Sequence, residues 1–320
     1  MKKFKIHLLN ILFLVFLTYS LTAETTDNSI DDQVYRYTHK IKFKKVKAGE
    51  NLQFIYCPLP RNNDYQLISN IDTHSGEILD NPDSPDNYVR FTISPEQQPA
   101  EGDWGEVMIE FDYVPSNTEY VSANIDRIYE YDTTSDIYKR YTKQYYDIID
   151  IENATIKKIS DELWIDATDV YAYAKKCFDY VNDNLTFKST SGYGKTTLEI
   201  LKNEGGDCGG LSTVLLSLLR CKNIPARHVF AYRHAWGEFY LENYGWIPVD
   251  PTFKTFGRIV EGYGLIRSHE IVYNIEVLNN NKTGRGRVDI LSKTHLFYPS
   301  HDPYICDLEV EQKPIVNRKI

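Results

Sequence analysis

Residues 205–210 read Gly205-Gly206-Asp207-Cys208-Gly209-Gly210, and directly after them Leu211, Val214, Leu215, Leu218 and Cys221 recur at helical spacing. A cysteine just ahead of an amphipathic helix sits where backbone N–H groups and the helix dipole favour negative charge. That position favours the thiolate, the nucleophilic form of a thiol. The four glycines carry no side chain and let a substrate backbone approach the sulfur. Asp207 is placed to cap the helix, and since its charge opposes a thiolate, a cation must offset it. The same six residues also suit a buried structural cysteine in a glycine turn. Asn223-Ile224-Pro225 ends the helix.

A cysteine nucleophile needs a base, and the base needs an orienting acceptor. Downstream lie His234-Ala235-Trp236 and then Gly245-Trp246-Ile247-Pro248-Val249-Asp250-Pro251-Thr252. His228 to Arg233 and Glu238 to Leu241 read as short strands, and the stretch from Gly245 as a further strand and turn. Strand, return and strand would set Asp250 beside His234, facing the helix that bears Cys208. His228, Phe230, Tyr232 and His234 share parity if one strand runs through them, which would put His228 on the same face. A satisfied structural histidine is the ordinary alternative for either ring.

From about Asn184 to Phe253 the sequence resembles the transglutaminase-like core family, a branch of the papain-like cysteine enzymes. Four pieces carry the resemblance, in the family's order: GGDCGG, LLSLLRCKNIPARHV, HAW and GWIPVDPT. The resemblance implies an α+β papain-like core whose central helix bears Cys208 against an antiparallel sheet. It implies Cys208 as nucleophile, His234 as general base, Asp250 as its orienter and a structural place for Arg227; no metal-ligand set is apparent in the sequence, so no cofactor is expected. The implied reaction is acyl transfer on protein or peptide amide groups through a thioester, with an amine (cross-linking) or water (hydrolysis) as acceptor. The implied oxyanion hole uses the N–H of the nucleophile and a second donor that the sequence does not identify. The rival from another class is a catalytically silent scaffold, exported as a protein- or glycan-binding module. Relatives of that kind usually lack one of the three residues, and all three stand here.

Upstream the pattern changes period. Tyr35, Tyr37, His39, Ile41 and Phe43 alternate with Arg36, Thr38, Lys40, Lys42 and Lys44, which describes a half-buried strand with a solvated basic face. Leu52–Cys57, Tyr88–Ile93 and Glu106–Val114 read as further strands, separated by Asn, Asp, Pro and Gly clusters. Residues 31–116 are therefore expected to form an antiparallel β-sandwich. Residues 117–150, rich in Tyr and Asp, read as a connector, 151–260 as the core with helices near 153–163 and 167–184, and 261–320 as a C-terminal extension packed on that core.

At its start, the chain carries Lys2, Lys3 and Lys5, a nearly unbroken apolar run to Leu21, and Ala23 ahead of Glu24. Residues 1–23 are expected to be a cleaved secretory signal peptide, an uncleaved anchor being the alternative. The mature protein is then exported, periplasmic or secreted, with no stable membrane insertion. The 320 residues are 42% hydrophobic and 25% charged, enough for a packed core, and the net charge of −9 repels phosphate backbones and argues against nucleic acid as a partner. The expected partner is a protein or peptide substrate. Of five cysteines, an odd number, Cys177 and Cys221 fall on apolar helix faces and read as buried small hydrophobes or a disulfide pair, and Cys57 and Cys306 are unplaced. Gly194-Lys195-Thr196 ends like a phosphate loop, but Ser189 stands where that motif needs glycine. Sequons at Asn153, Asn184 and Asn281 are no more than chance supplies.

Overall fold

Alternation along 35–45 builds the first strand. It heads a chain-ordered series of β1 (Tyr35–Lys45), β2 (Phe54–Pro58), β3 (Gln66–Asp72), β4 (Glu77–Leu79), β5 (Tyr88–Thr92), β6 (Trp104–Pro115) and β7 (Thr118–Glu119). Helices α1 (Asp136–Tyr141), α2 (Ala154–Trp164) and α3 (Val170–Asn184) follow, then β8 (Thr186–Phe187), α4 (Thr197–Lys202), β9 (Gly205–Gly206) and α5 (Cys208–Arg220). The chain closes with β10 (Ala226–Ala231), β11 (His234–Leu241), β12 (Gly245–Val249), β13 (Leu265–Ile266), β14 (Val272–Asn274), β15 (His295–Phe297) and β16 (Tyr304–Pro314). The structure is a computed structural model that describes residues 34–46, 49, 51–79, 88–115, 118–119, 130–144, 148–189, 195–231, 234–252, 262–266, 271–275, 295–297 and 304–315. The leader expected over 1–23, most of the loop holding Gly194, and Asn281 lie outside them.

Two four-stranded antiparallel sheets, β16-β1-β6-β3 and β15-β2-β5-β4, make the N-terminal sandwich. Their inward residues, among them Ile41, Phe43, Ile55, Val89, Phe91, Ile109 and Phe111, form one buried cluster. The basic face of β1 is not left to solvent alone: Lys40 and Lys42 reach Glu311 and Glu309 across the β1–β16 pair at 2.6 and 2.5 Å. The period-two reading missed β3 and β4. Only Gln66 and Ile68 of β3 are buried, and β4 has three residues, so neither carries enough apolar alternation to be read.

The second layer system is α+β. The antiparallel sheet β12-β11-β10-β14 packs on α5, and α2, α3 and α4 pack on the other side of that helix. From Gly210 to Arg220 every residue of α5 is buried, so it is hydrophobic nearly all round, as a central helix must be. Two of its polar residues find partners. Ser217 Oγ lies 2.6 Å from Thr197 Oγ1, and Arg220 donates through Nε to Ala226 O at 2.8 Å and through Nη1 to Lys143 O at 2.8 Å. Asn153, one of the sequon asparagines, caps α2 by accepting from Thr155 N at 2.9 Å. The connector contains α1, capped by Ser135, which the Tyr- and Asp-rich composition concealed.

The C-terminal stretch corrects an expectation. Residues 272–274 join β10 in the core sheet, but 295–297 pair with β2 and 304–314 pair with β1 along its whole length. The extension is thus shared between the two layer systems rather than packed on the core alone, and it completes both sandwich sheets. Residues 33–320 form one compact unit. Among the described residues no helix is long and apolar enough to cross a membrane.

Candidate active site

Helix α5 begins at Cys208 itself. Asp207 is its N-cap, extended at φ −75°, and its carboxylate accepts from Gly210 N at 2.8 Å, satisfying one of the first-turn donors. The glycines do different work from that expected of them. Gly205, at φ +152°, pairs with Thr186 in the short parallel β8–β9 contact, and a β-carbon there would lie 2.0 Å from Thr186 O. Its bare backbone serves this close approach within the fold, not a substrate. At Gly209 an added β-carbon would meet nothing closer than an ordinary 3.5 Å contact with Asp207, so that flank of the thiol is open. Cys208 is partly exposed at the helix start.

His234 opens β11 and Asp250 follows β12, the strand that pairs with β11. His234 Nε2 and Asp250 Oδ2 are 2.5 Å apart. Asp250 is fully buried and its other oxygen is taken: Thr252 donates to Oδ1 through N at 2.8 Å and Oγ1 at 2.6 Å, which turns Oδ2 to the imidazole. Gly262 O accepts from Asp250 N at 2.7 Å and fixes the backbone from the other side. Cys208 is close enough to the His234 ring to act on its pKa. Burial opposes a charge on that ring, but the hydrogen bonds to Asp250 and Cys208, with their charges, outweigh it and raise His234 to about 11. The three residues singled out from sequence therefore converge at the α5 N-terminus as a thiol, a charged imidazolium and a buried carboxylate. The imidazolium is the cation needed to offset Asp207.

His228 is not part of this group. It lies on β10 and His234 on β11, two strands paired antiparallel, so the shared parity of one strand does not apply. His228 does face α5, but its Nε2 meets Thr213 Oγ1 at 3.2 Å. Burial, helped by the charge of Arg220, pushes His228 down to about 3 and keeps it neutral. Arg227 is structural, its Nε donating to Glu238 Oε2 at 2.6 Å behind the sheet. Cys177 and Cys221 are free thiols, not a disulfide pair, and burial pushes Cys177 up to about 12 and Cys221 to about 11. Asp72, His74 and Glu110 have ligand-type atoms within 4.8 Å of one another on the N-terminal sheet, where Arg36 stands 3.6 Å from Glu110. None of them belongs to the Cys208 site.

Residues 157–251 match the sequence profile of the transglutaminase-like superfamily, a span that holds Cys208, His234 and Asp250. Among solved structures, a candidate cysteine protease from Cytophaga hutchinsonii is similar over 90% of this chain and 92% of its own, with a TM-score of 0.58 and 14% identity. That similarity includes the N-terminal sheets as well as the core. The periplasmic domain of TgpA from Pseudomonas aeruginosa aligns over 70% of this chain and 90% of its own, with a TM-score of 0.36 and 14% identity. No curated protein sequence matches the chain.

Proposed function

Taking residues 157–251 as a transglutaminase-like core, we propose that this protein is a cysteine-dependent acyl-transfer enzyme acting on protein or peptide amides. In this reading the Cys208 thiolate attacks a carboxamide or peptide carbonyl. The tetrahedral intermediate collapses as His234 gives its proton to the departing ammonia or amine, and a thioester on Cys208 remains. Asp250 holds the imidazole in orientation and stabilises its charge through the 2.5 Å contact to Nε2, which leaves Nδ1 for the thiol. An amine acceptor yields a cross-link; water yields hydrolysis, with His234 drawing its proton. The observation that carries the reading is the convergence of a helix-terminal thiol, the His234 ring and a buried carboxylate that lies 2.5 Å from that ring and is fixed by Thr252.

The test is to incubate the protein with a peptide library and a cell extract, quench in acid and map Cys208 by mass spectrometry. An acyl adduct on the Cys208 peptide, absent from Cys208→Ala, is expected. Added primary amine should then appear in the product if transfer dominates, and free carboxylic acid if hydrolysis does. A chain that forms no adduct, and whose Cys208 reacts with iodoacetamide at a rate indifferent to His234, is a scaffold instead. The basic and apolar leader over residues 1–23 supports placing the reaction outside the cytoplasm. A mature N-terminus near Glu24 is the expected sequencing result.

A further inference from the structure

Behind the catalytic strand, the side chain of Tyr65 crosses from the N-terminal sandwich into the core sheet. Tyr65 precedes β3 and is 4% exposed. Its hydroxyl donates to Glu238 Oε1 and accepts from Trp236 Nε1 at 3.4 Å, and its ring meets Trp236 edge-on at 5.4 Å between centroids. Trp236 and Glu238 are the residues of β11 at i+2 and i+4 from His234, on one face of that strand. The Trp236 ring lies 5.9 Å from the His234 ring. Next to Tyr65, Gln66 brackets the backbone of Val272, accepting from its N at 2.8 Å and donating to its O at 2.6 Å, so the same dipeptide also holds β14 against β10.

From this arrangement we infer that Tyr65 is a positioning residue for His234, and that the N-terminal sandwich is a working part of the active site rather than an appended module. The inference rests on the cysteine-enzyme reading above. Glu238 is a buried carboxylate with two partners, Tyr65 and Arg227, and losing the first leaves a charged oxygen unpaired in the sheet that aims the imidazole. The strand must then shift toward a new partner, and the ring at its start shifts with it. Small displacements of a general base are costly because proton transfer depends steeply on geometry.

The experiment uses the full chain and iodoacetamide at pH 6 as probe, with peptide mapping of each cysteine and an NMR titration of the His234 ring. Tyr65→Phe should slow Cys208 alkylation by about tenfold, the size expected for loss of one hydrogen bond to a charged group, and should lower the pH at which His234 titrates. Cys177 should stay unlabelled, which marks the fold as intact. Ile109→Val, a mild cavity within the sandwich's own buried cluster, should leave both readouts in place. Should Tyr65→Phe expose Cys177, Glu238→Gln answers the same question, since it keeps the side chain's shape and removes the charge that strengthens the bond. The inference fails if these variants leave Cys208 and His234 unchanged, or if Ile109→Val moves them equally. His234→Ala separates the two levels. When it slows Cys208 and the Tyr65 variants do not, only the positioning role falls; when it has no effect, the enzyme reading falls and takes this inference with it.

Discussion

At Cys208, position and partner act together: the helix start favours negative charge, and His234 supplies the positive charge that offsets Asp207. Cys208→Ala should therefore abolish acyl-adduct formation with no change in far-UV circular dichroism. Asp250→Asn should keep residual activity, reduced by up to about 10⁴-fold, because it disturbs the orientation and charge of the ring without removing the nucleophile. His228→Ala, whose ring meets Thr213 and not the thiol, should leave alkylation of Cys208 within a few-fold of the unaltered protein, while His234→Ala slows it markedly. The raised pKa of His234 also has a stability consequence. A histidine held at about 11 in the folded chain binds its proton more tightly than in the unfolded chain, whose ring titrates near its ordinary 6.5. Its contribution is fully present below about 6.5 and is lost as pH rises from there toward 11. Denaturation midpoints of the unaltered protein and Asp250→Asn, followed over that window, should converge as pH rises.

At the scale of elements, α5 depends on its cap and its packing. Asp207→Ala removes the acceptor for Gly210 N and should cost about 1 kcal/mol in urea unfolding, with faster amide exchange confined to the first turn. Leu215→Ala, fully buried between sheet and helices, should cost about 2–5 kcal/mol and exchange broadly. The contrast separates a local end effect from a core effect. Strand β11 joins the two: one of its faces, through Ala235, Phe239 and Leu241, packs toward α5, while the other, through Trp236 and Glu238, meets Tyr65 and Arg227. His234 stands at the start of this strand, which is held on both of its faces.

Over the whole molecule, the C-terminal strand β16 completes the sheet that β1 begins, and β15 does the same for the second sheet. Deleting residues 304–320 should uncover the full edge of β1, including Lys40 and Lys42, and yield a chain that unfolds earlier and associates through the open edge. Differential scanning calorimetry of the intact chain should show one transition for residues 33–320, because Tyr65, Gln66 and β14 tie sandwich and core together. Two resolved transitions would contradict this. Both parts also share an acid sensitivity. Burial pushes His39 in the sandwich and His228 in the core down to about 3, so both are neutral when folded and gain a proton when unfolded. Stability should therefore fall as pH drops from about 6.5 toward 3. Replacing His39 with Phe should flatten part of that slope.

The local pattern of the chain singled out the candidate residues Cys208, His234 and Asp250 and the kind of element that bears each of them. Helical spacing after Cys208, the glycine run before it, and the short segments holding His234 and Asp250 are properties of ten to twenty consecutive residues, which is the range over which period and capping act. The same local signals yielded β1, β5, β6, α2 and α3 nearly in place. Helix α4 had its signal too, a Thr196–Glu199 capping box, but its six residues are too short for periodicity to assert itself. What tertiary structure alone decided is whatever depends on partners far away in the chain. The pairing of β1 with a strand some 270 residues later, the reach of Tyr65 to Glu238 and the close approach at Gly205 are long-range contacts. No local sequence period encodes these contacts. They arise when buried carboxylates, amides and strand edges must each find a partner, and the folded chain offers only a few within reach.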